Sequence, residues 1–446
     1  MKKTMIFRSI LSLFLVLTLL PGAFSEIVSQ KNAPESPLCP EESDYVSLFG
    51  KIDYDRYYED MNAWSEYFSS VRLEKNEADG LITYFSKTAR EFLLSDGDKN
   101  AVYSPLNLYF ALGMLAEITD GETRQQILSL LGHEDIDTLR TEAGRILNAS
   151  YRDEGAQTCL FAASVWLNKL VSFKEETLKN VSAHYFADAF SAEMGAHQTD
   201  AALRAWINEN TKNLLSESVK DLSLDADTVI ALVTSVYFSA RWSGGFSENA
   251  TYEEIFHSVG GDISCDFMHK NSDGTAYFGK NFLAAEYAFE NGGGMWFFLP
   301  DEGVSPETLL SDDALIRTVM HPEEFENQKR LLIRASVPKF DVSKQTDLIA
   351  GLKNLGVINA FNENLSDFTP LCDDSKNLEV SKAQHDARVI IDEEGALAAA
   401  YTIISVLPTS AMPPADEIEF RLDRPFVFVI STADDLPLFI GIVNAP

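Results

Sequence analysis

Apolar positions fall into two textures along this chain. In the first they recur every three or four residues. Leu81, Phe85, Ala89, Phe92 and Leu93 form such a stripe and predict a helix. Ser104 and Pro105 mark a second helix start, Ser as the cap and Pro in the first turn. Leu108, Ala111, Leu112 and Leu115 then give it a buried face. Residues 347–355 predict a further helix, closed by Gly356, and the tyrosine-rich stretch 53–67 a short one. In the second texture, short runs of Val, Ala, Leu and aromatics read as strands: 158–167, 229–238, 295–299 and 387–392. Residues 331–338 alternate, with Leu331, Ile333, Ala335 and Val337 on one side. Residues 426–430 and 438–443 are almost wholly apolar, as strands covered on both faces are. Helices gather early and strands late, which predicts an α+β fold and not a regular βαβ array.

The ends of the chain follow another logic. Residues 1–25 read as a secretory signal: Lys2, Lys3 and Arg8, then the apolar stretch 10–20, Pro21, and small residues near Ser25. That stretch is short for a membrane span. Residues 26–75 are polar, acidic and aromatic in patches and read as an N-terminal extension; residues 76–446 form the main domain. Secretion and an extracellular location follow as expectations, with no membrane attachment of the mature chain.

Composition narrows the partners. Of 446 residues 46% are apolar, enough for a large core. Without the three basic residues of the signal, 33 Lys and Arg face 68 Asp and Glu, a net charge of −35. So acidic a surface disfavours nucleic acid and anionic membranes and favours cationic partners, although solubility alone is an equal explanation. Cys39, Cys159, Cys265 and Cys372 lie far apart without a CxxC pair, so neither a cysteine zinc site nor a disulfide framework is expected. The spacing favours free thiols and leaves one bridge open. Sequons at Asn148, Asn180, Asn249 and Asn364 matter only in a glycosylating host, and the Met-Lys-Lys start looks bacterial.

The unusual segment runs from 393 to 418. Between Ala396 and Leu407 it holds no Pro, Gly or charge. Extended, one face is Ala396, Ala398, Ala400, Thr402, Ile404 and Val406; the other is Leu397, Ala399, Tyr401, Ile403, Ser405 and Leu407. A solvated loop has no need of that alternation, whereas a strand does. Gly395 precedes the tract as a hinge, and Pro408, Pro413 and Pro414 follow as stops. Twelve extended residues span roughly 40 Å. Taken alone, the tract serves equally as a permanent strand or, given its alanines, as a helix.

From Asn100 to the C-terminus the chain resembles the serpin family. The motifs are 103–107 (YSPLN), 121–127 (GETRQQI), Trp206 with Asn208 and Thr211, 232–238 (LVTSVYF) with Trp242 and Phe246, and 337–340 (VPKF). In order follow Leu355-Gly356, Ala360-Phe361, 381–385 (SKAQH), 391–395 (IDEEG), 420–430 (FRLDRPFVFVI), 437–441 (PLFIG) and Val443-Asn444. Residues 26–75 lie outside the resemblance. It implies three sheets, eight or nine helices and an exposed reactive-centre loop at about 393–418. It implies a suicide mechanism: a serine protease cuts the loop, forms an acyl-enzyme, and is trapped as the loop inserts into the central sheet. The hinge would be Glu393, Glu394, Gly395, Ala396, Leu397, Ala398, Ala399, Ala400 and Thr402. Leu397 departs from the usual Glu at a position that faces outward after insertion. The shutter and breach would use Ser104, Pro105, Thr234, Trp242 and His385, with Thr234 departing from the usual Asn beside His385 and reaching less far.

Inhibitory members keep about fifteen residues from the hinge Gly to the cut, and counting Gly395 as the first puts the cut between Thr409 and Ser410. A small β-branched residue there suits an elastase-like pocket. No basic residue lies between Arg388 and Arg421, which argues against trypsin-like targets; a cut near Met412 would point to chymotrypsin-like ones. The expected partner is thus a serine protease held as a covalent acyl complex by a monomeric inhibitor. The rivals are a non-inhibitory binding serpin and an enzyme. GxSxG, HExxH, a phosphate loop and an EF-hand are all missing from the sequence, so no catalytic residue, metal ligand or cofactor is expected. Glu393 and Glu394 are neighbours on an extended chain and point apart, a poor acid–base pair.

Overall fold

The computed structural model describes residues 25–29, 37–47, 51–74, 76–94, 97–153, 157–373, 378–396 and 416–446. The expected signal, but for Ser25, lies outside them. Ten α-helices occur among the described residues. They are α1 (Tyr54–Val71), α2 (Ile82–Leu93), α3 (Pro105–Glu117), α4 (Gly121–Leu131), α5 (Ile136–Ser150), α6 (Glu175–Tyr185), α7 (His197–Asn210), α8 (Ser216–Val219), α9 (Ala314–Met320) and α10 (Ile349–Asn354).

Local chemistry explains their limits. The Ser104 hydroxyl accepts the Asn107 N–H at 3.3 Å, and Pro105 occupies the first turn of α3. Gly132, in the left-handed conformation (φ 82°), closes α4. In the extension, Asp53 caps α1 through the Arg56 N–H. This helix outlasts the short one expected at 53–67. It buries Phe68, over whose ring the Arg152 guanidinium sits at 4.1 Å.

The strands are β1 (Ser25–Ser29), β2 (Ala101–Tyr103), β3 (Arg152–Asp153), β4 (Gln157–Asn168), β5 (Ala187–Ala192), β6 (Ile230–Arg241), β7 (Thr251–Ser258), β8 (Gly261–Phe278) and β9 (Phe282–Ala288). They continue as β10 (Gly294–Pro300), β11 (Gln328–Pro338), β12 (Phe340–Asp347), β13 (Gln384–Ile391), β14 (Gly395–Ala396), β15 (Glu417–Arg421), β16 (Phe426–Ser431) and β17 (Pro437–Val443).

The central sheet runs β1-β5-β4-β6-β14-β13-β12, with β3 on β4. The second runs β15-β11-β8-β9-β10-β16-β17-β2, with β7 on β8. The resemblance implies three sheets. Here the 18-residue β8 pairs β7 and β11 along most of its length and β9 at its end, which joins two of the three into one nine-stranded ladder.

The main core lies between the sheets and takes in α3, buried nearly all round. A second cluster, with Trp206 and Leu203 of α7 against Trp166 and Ala231, covers the outer face of the central sheet. Because both faces are covered, β4 reads as a continuous apolar run. No disulfide joins the four cysteines. No helix among the described residues is long and apolar enough to cross a membrane.

Candidate functional site

β6 and β13 run alongside each other in the central sheet, yet they share little. Among the described residues their direct pairing is one parallel bridge, Leu232 to Ala383. Higher up, the two-residue strand β14 sits between them. Gly395 pairs with Arg241, and Ala396 pairs with Ala240 on one side and Ile391 on the other. Ala396 is 2% exposed and belongs to the main core.

A fixed turn delivers β14 to that position. The Asp392 carboxylate accepts the N–H groups of Glu394 (2.9 Å) and Gly395 (3.1 Å). The carbonyls of Glu393 and Glu394 accept the N–H groups of Phe246 (3.0 Å) and Trp242 (2.9 Å), and the Trp242 indole donates to the Asp392 carbonyl at 2.9 Å. The Trp242 ring stacks on Phe289, centroids 5.0 Å apart.

Glu393 is tied down as well, its Oε2 lying 2.8 Å from Lys339 Nζ. Burial alone would raise this carboxyl; the Lys339 hydrogen bond and neighbouring donors hold it below the usual range. Lys339 is raised in turn, by its bond to Glu393. Gly395 has a steric reason to be glycine, since a Cβ there would run into the Ala240 carbonyl of β6.

Further down, His385 of β13 is 1% exposed. Its Nε2 accepts the backbone N–H of Ser104 at 3.0 Å, where β2 gives way to α3. The proton is therefore assigned to Nδ1, which is buried and has no hydrogen-bond partner among the described residues. Burial, with Lys344 adding to it, pushes the imidazole down to about 4. Thr234 is half-buried on β6, and no hydrogen bond joins it to His385 among the described residues. The short side chain of Thr leaves that contact unmade. Thr234, Leu232, Gln384 and Asp386 help to line a cavity of about 30 Å³ beside α7, room for one or two waters.

Of the expected site residues, the structure thus gathers Glu393, Glu394, Gly395, Ala396 and Trp242 at the top of the slot. Ser104, Pro105, Thr234 and His385 lie lower. Leu397, Ala398, Ala399, Ala400, Thr402, Thr409 and Ser410 fall outside the described residues. Lys339, Asp392 and Phe289 do work at the site that sequence reading did not assign. Asp392 carried a signal, an Asp before Glu-Glu-Gly being a turn former. Lys339 and Phe289 meet the hinge only through tertiary contact.

Known proteins match this arrangement. A family model described as "Serpin (serine protease inhibitor)" matches residues 84–446. Serpin-ZX of Arabidopsis thaliana is 28% identical over 364 residues, which cover 78% of this chain and 93% of that protein. The crystal structure of the thermophilic serpin Tengpin in the native state superposes with a TM-score of 0.74 at 24% identity, covering 84% of this chain and 95% of that one. Human thyroxine-binding globulin complexed with its hormone gives 0.72 at 22% identity, covering 83% and 98%.

Proposed function

The chain belongs to the serpin family, and from that premise we propose that it inhibits an elastase-type serine protease by being cut between Thr409 and Ser410. In the proposed reaction the protease serine Oγ attacks the Thr409 carbonyl. The peptide nitrogen of Ser410 leaves with a proton, and Thr409 stays esterified to the protease. The freed strand then slides between β6 and β13 before water can release it.

One observation carries this reading: β14 already occupies the top of that slot, in register with both neighbours. If insertion continued the same register, Ala398 would lie between Phe238 and Val389, and Ala400 between Val236 and Ala387. Thr402 would fall between Thr234 and His385, supplying a hydroxyl where Thr234 does not reach. Ile404 would replace the lone bridge from Leu232 to Ala383, and Val406 would reach Ile230 at the end of β6. The uncharged tract is therefore as long as the edge it would cover. Its small face would meet the core that Ala396 has entered.

Incubation with pancreatic elastase tests the reading. A covalent band that survives SDS, with a released C-terminal peptide starting at Ser410, is the expected result. A peptide starting at Met412 or beyond overturns the cut site. Clean cleavage without a band overturns trapping and favours a ligand-binding serpin. Thr402→Arg should turn inhibitor into substrate, because the inserted strand would bury an unpaired charge at a cost of several kcal/mol.

The same reading places the protein outside the cell as a monomer after loss of residues 1–25. Exported protein should begin at Glu26 and elute at monomer size; retention of Met1 in exported protein would contradict it.

A further inference from the structure

We propose that the cavity between α7 and the central sheet is a docking site for the second face of the uncharged tract, and that it takes the side chains of Tyr401 and Ile403. The inference rests on strand entry between β6 and β13, and it adds a receptor for the face that entry would turn away from the main core.

Register decides which residues would meet. Gly395 pairs with Arg241, and Ala396 with Ala240 and Ile391. If entry carried that register downwards, Leu397 would lie between Ser239 and Ile390, and Ala399 between Tyr237 and Arg388. Tyr401 would then lie between Ser235 and Asp386, and Ile403 between Val233 and Gln384. Ala231, two residues from Val233 along β6, belongs to the cluster that α7 covers, and so does Ala162, which pairs with Ser235. By alternation the odd-numbered residues of an entering tract would face α7.

The cover over that face changes along the slot. Residues 212–223, which follow α7, cross from β6 to β13. Lys212 Nζ sits 4.8 Å from the centre of the Tyr237 ring. Arg388 donates to the Leu214 carbonyl at 3.2 Å, and Lys382 Nζ to the Ser223 carbonyl at 2.8 Å. Tyr237 and Arg388 are thus held by the crossing segment at the level of residue 399, where the tract carries only an alanine. Lower down lies the cavity of about 30 Å³, lined by Leu203 and Ile207 of α7, Leu222 and Leu224 of the crossing segment, and Val233. At that level the tract carries Tyr401 and Ile403. An entering strand would also part β6 and β13 by about 4.8 Å, so the space would widen as the side chains arrive. Small under the crossing and large at the cavity, the sizes along the tract match the cover.

The chemistry matches as well. Around Val233 the lining is aliphatic, which suits Ile403. At the level of residue 401 the neighbours are polar. Ser235 is 1% exposed, and its Oγ has no hydrogen-bond partner among the described residues. Asp386 is half-buried and accepts the Gln384 amide at 3.0 Å; burial raises its carboxyl above the ordinary range, with that amide opposing. A tyrosine hydroxyl between the two can donate to the carboxylate and accept from the serine.

The test is thermal unfolding of the full chain, intact and nicked by pancreatic elastase between residues 407 and 414, the cut being checked by mass spectrometry. Ile403→Ala and Leu397→Ala remove the same volume from the same face, one at the cavity and one above it. Nicked Ile403→Ala should melt about 3 °C below nicked wild type, and nicked Leu397→Ala should lose less than half as much. Tyr401→Phe should also lower the nicked form, and should lower it less in a Ser235→Ala/Asp386→Ala background. Equal losses from Ile403→Ala and Leu397→Ala, in protein whose nicked wild type melts above the intact form, overturn the docking and leave strand entry standing. If nicked wild type gains nothing, entry fails and the docking falls with it. A small molecule retained by both intact and nicked protein in native mass spectrometry, and lost on Leu203→Phe, would make a free ligand the occupant and overturn the proposal.

Discussion

His385 shows how one side chain links folding to pH. Folded, its imidazole titrates near 4; unfolded, near 6.5. Between those values the unfolded chain binds a proton that the folded chain refuses. This group's contribution is therefore complete above pH 6.5 and is lost as pH falls towards 4, about 3 kcal/mol in all. Glu142 and Asp435 act in the opposite sense. Burial pushes both up to about 7, so their contribution is present below the ordinary carboxyl range and is lost as pH rises through 7. A comparison of variants separates the effects: between pH 7 and pH 4.5, wild type should lose more melting temperature than His385→Gln. Equal losses would mean that His385 is not held neutral. Gly395 offers a second measurement. Gly395→Ala sets a methyl against the Ala240 carbonyl, so β14 must leave the slot. Exchange of the Trp242 amide, which is bonded to the Glu394 carbonyl, should speed up by at least tenfold; unchanged protection would show that the slot tolerates a Cβ there.

At the scale of elements, the proposal turns on what β6 gains. Below β14, its edge facing β13 is joined by a single bridge among the described residues. Insertion of residues 397–406 would add about ten residues of ladder, each worth about 1 kcal/mol net, before any apolar burial is counted. In a chain of this size a gain of about 10 kcal/mol corresponds to a rise of about 10 °C in melting temperature. Protein nicked at the loop should melt higher than intact protein by an amount of that order, and equal melting would mean that the strand never enters. β1 and α1 belong to a different part of the story. β1 pairs with the β5 edge of the central sheet, and α1 anchors beside β3 through Phe68. The resemblance in sequence does not cover these two elements; strand pairing and the Phe68–Arg152 contact are among the interactions that hold them.

For the whole molecule, charge matters more than any single pair. The chain carries a net charge of −32, so under the proposed function encounter with a cationic protease would gain from long-range attraction that salt screens. The association rate with such an enzyme should fall several-fold between 0.05 and 0.5 M NaCl (Debye length from about 14 Å to about 4 Å). The dissociation of the trapped covalent species should not change with salt. If the association rate is flat across that range, the acidic surface serves solubility alone.

Much of this could be read before folding. The stripe of α2, the capped start of α3, the apolar strands β16 and β17, and the uncharged tract with its glycine hinge are local patterns. Each is set by a period of 3.6 or 2, by a cap, or by the conformational range of Gly and Pro. The family resemblance was legible for a related reason: its motifs are short runs of neighbouring residues in a fixed order along the chain. Contacts across long separations were not legible, because sequence records neighbours in the chain and folding chooses neighbours in space. The Ser104 N–H meets His385, Lys339 meets Glu393, and Asp79 meets His321 only once the sheets have closed. The sequence by itself determined a strand-competent tract. The tertiary structure decided that β14 stands between β6 and β13 and that, among the described residues, these two strands share one bridge, because only packed sheets bring segments distant in the chain side by side.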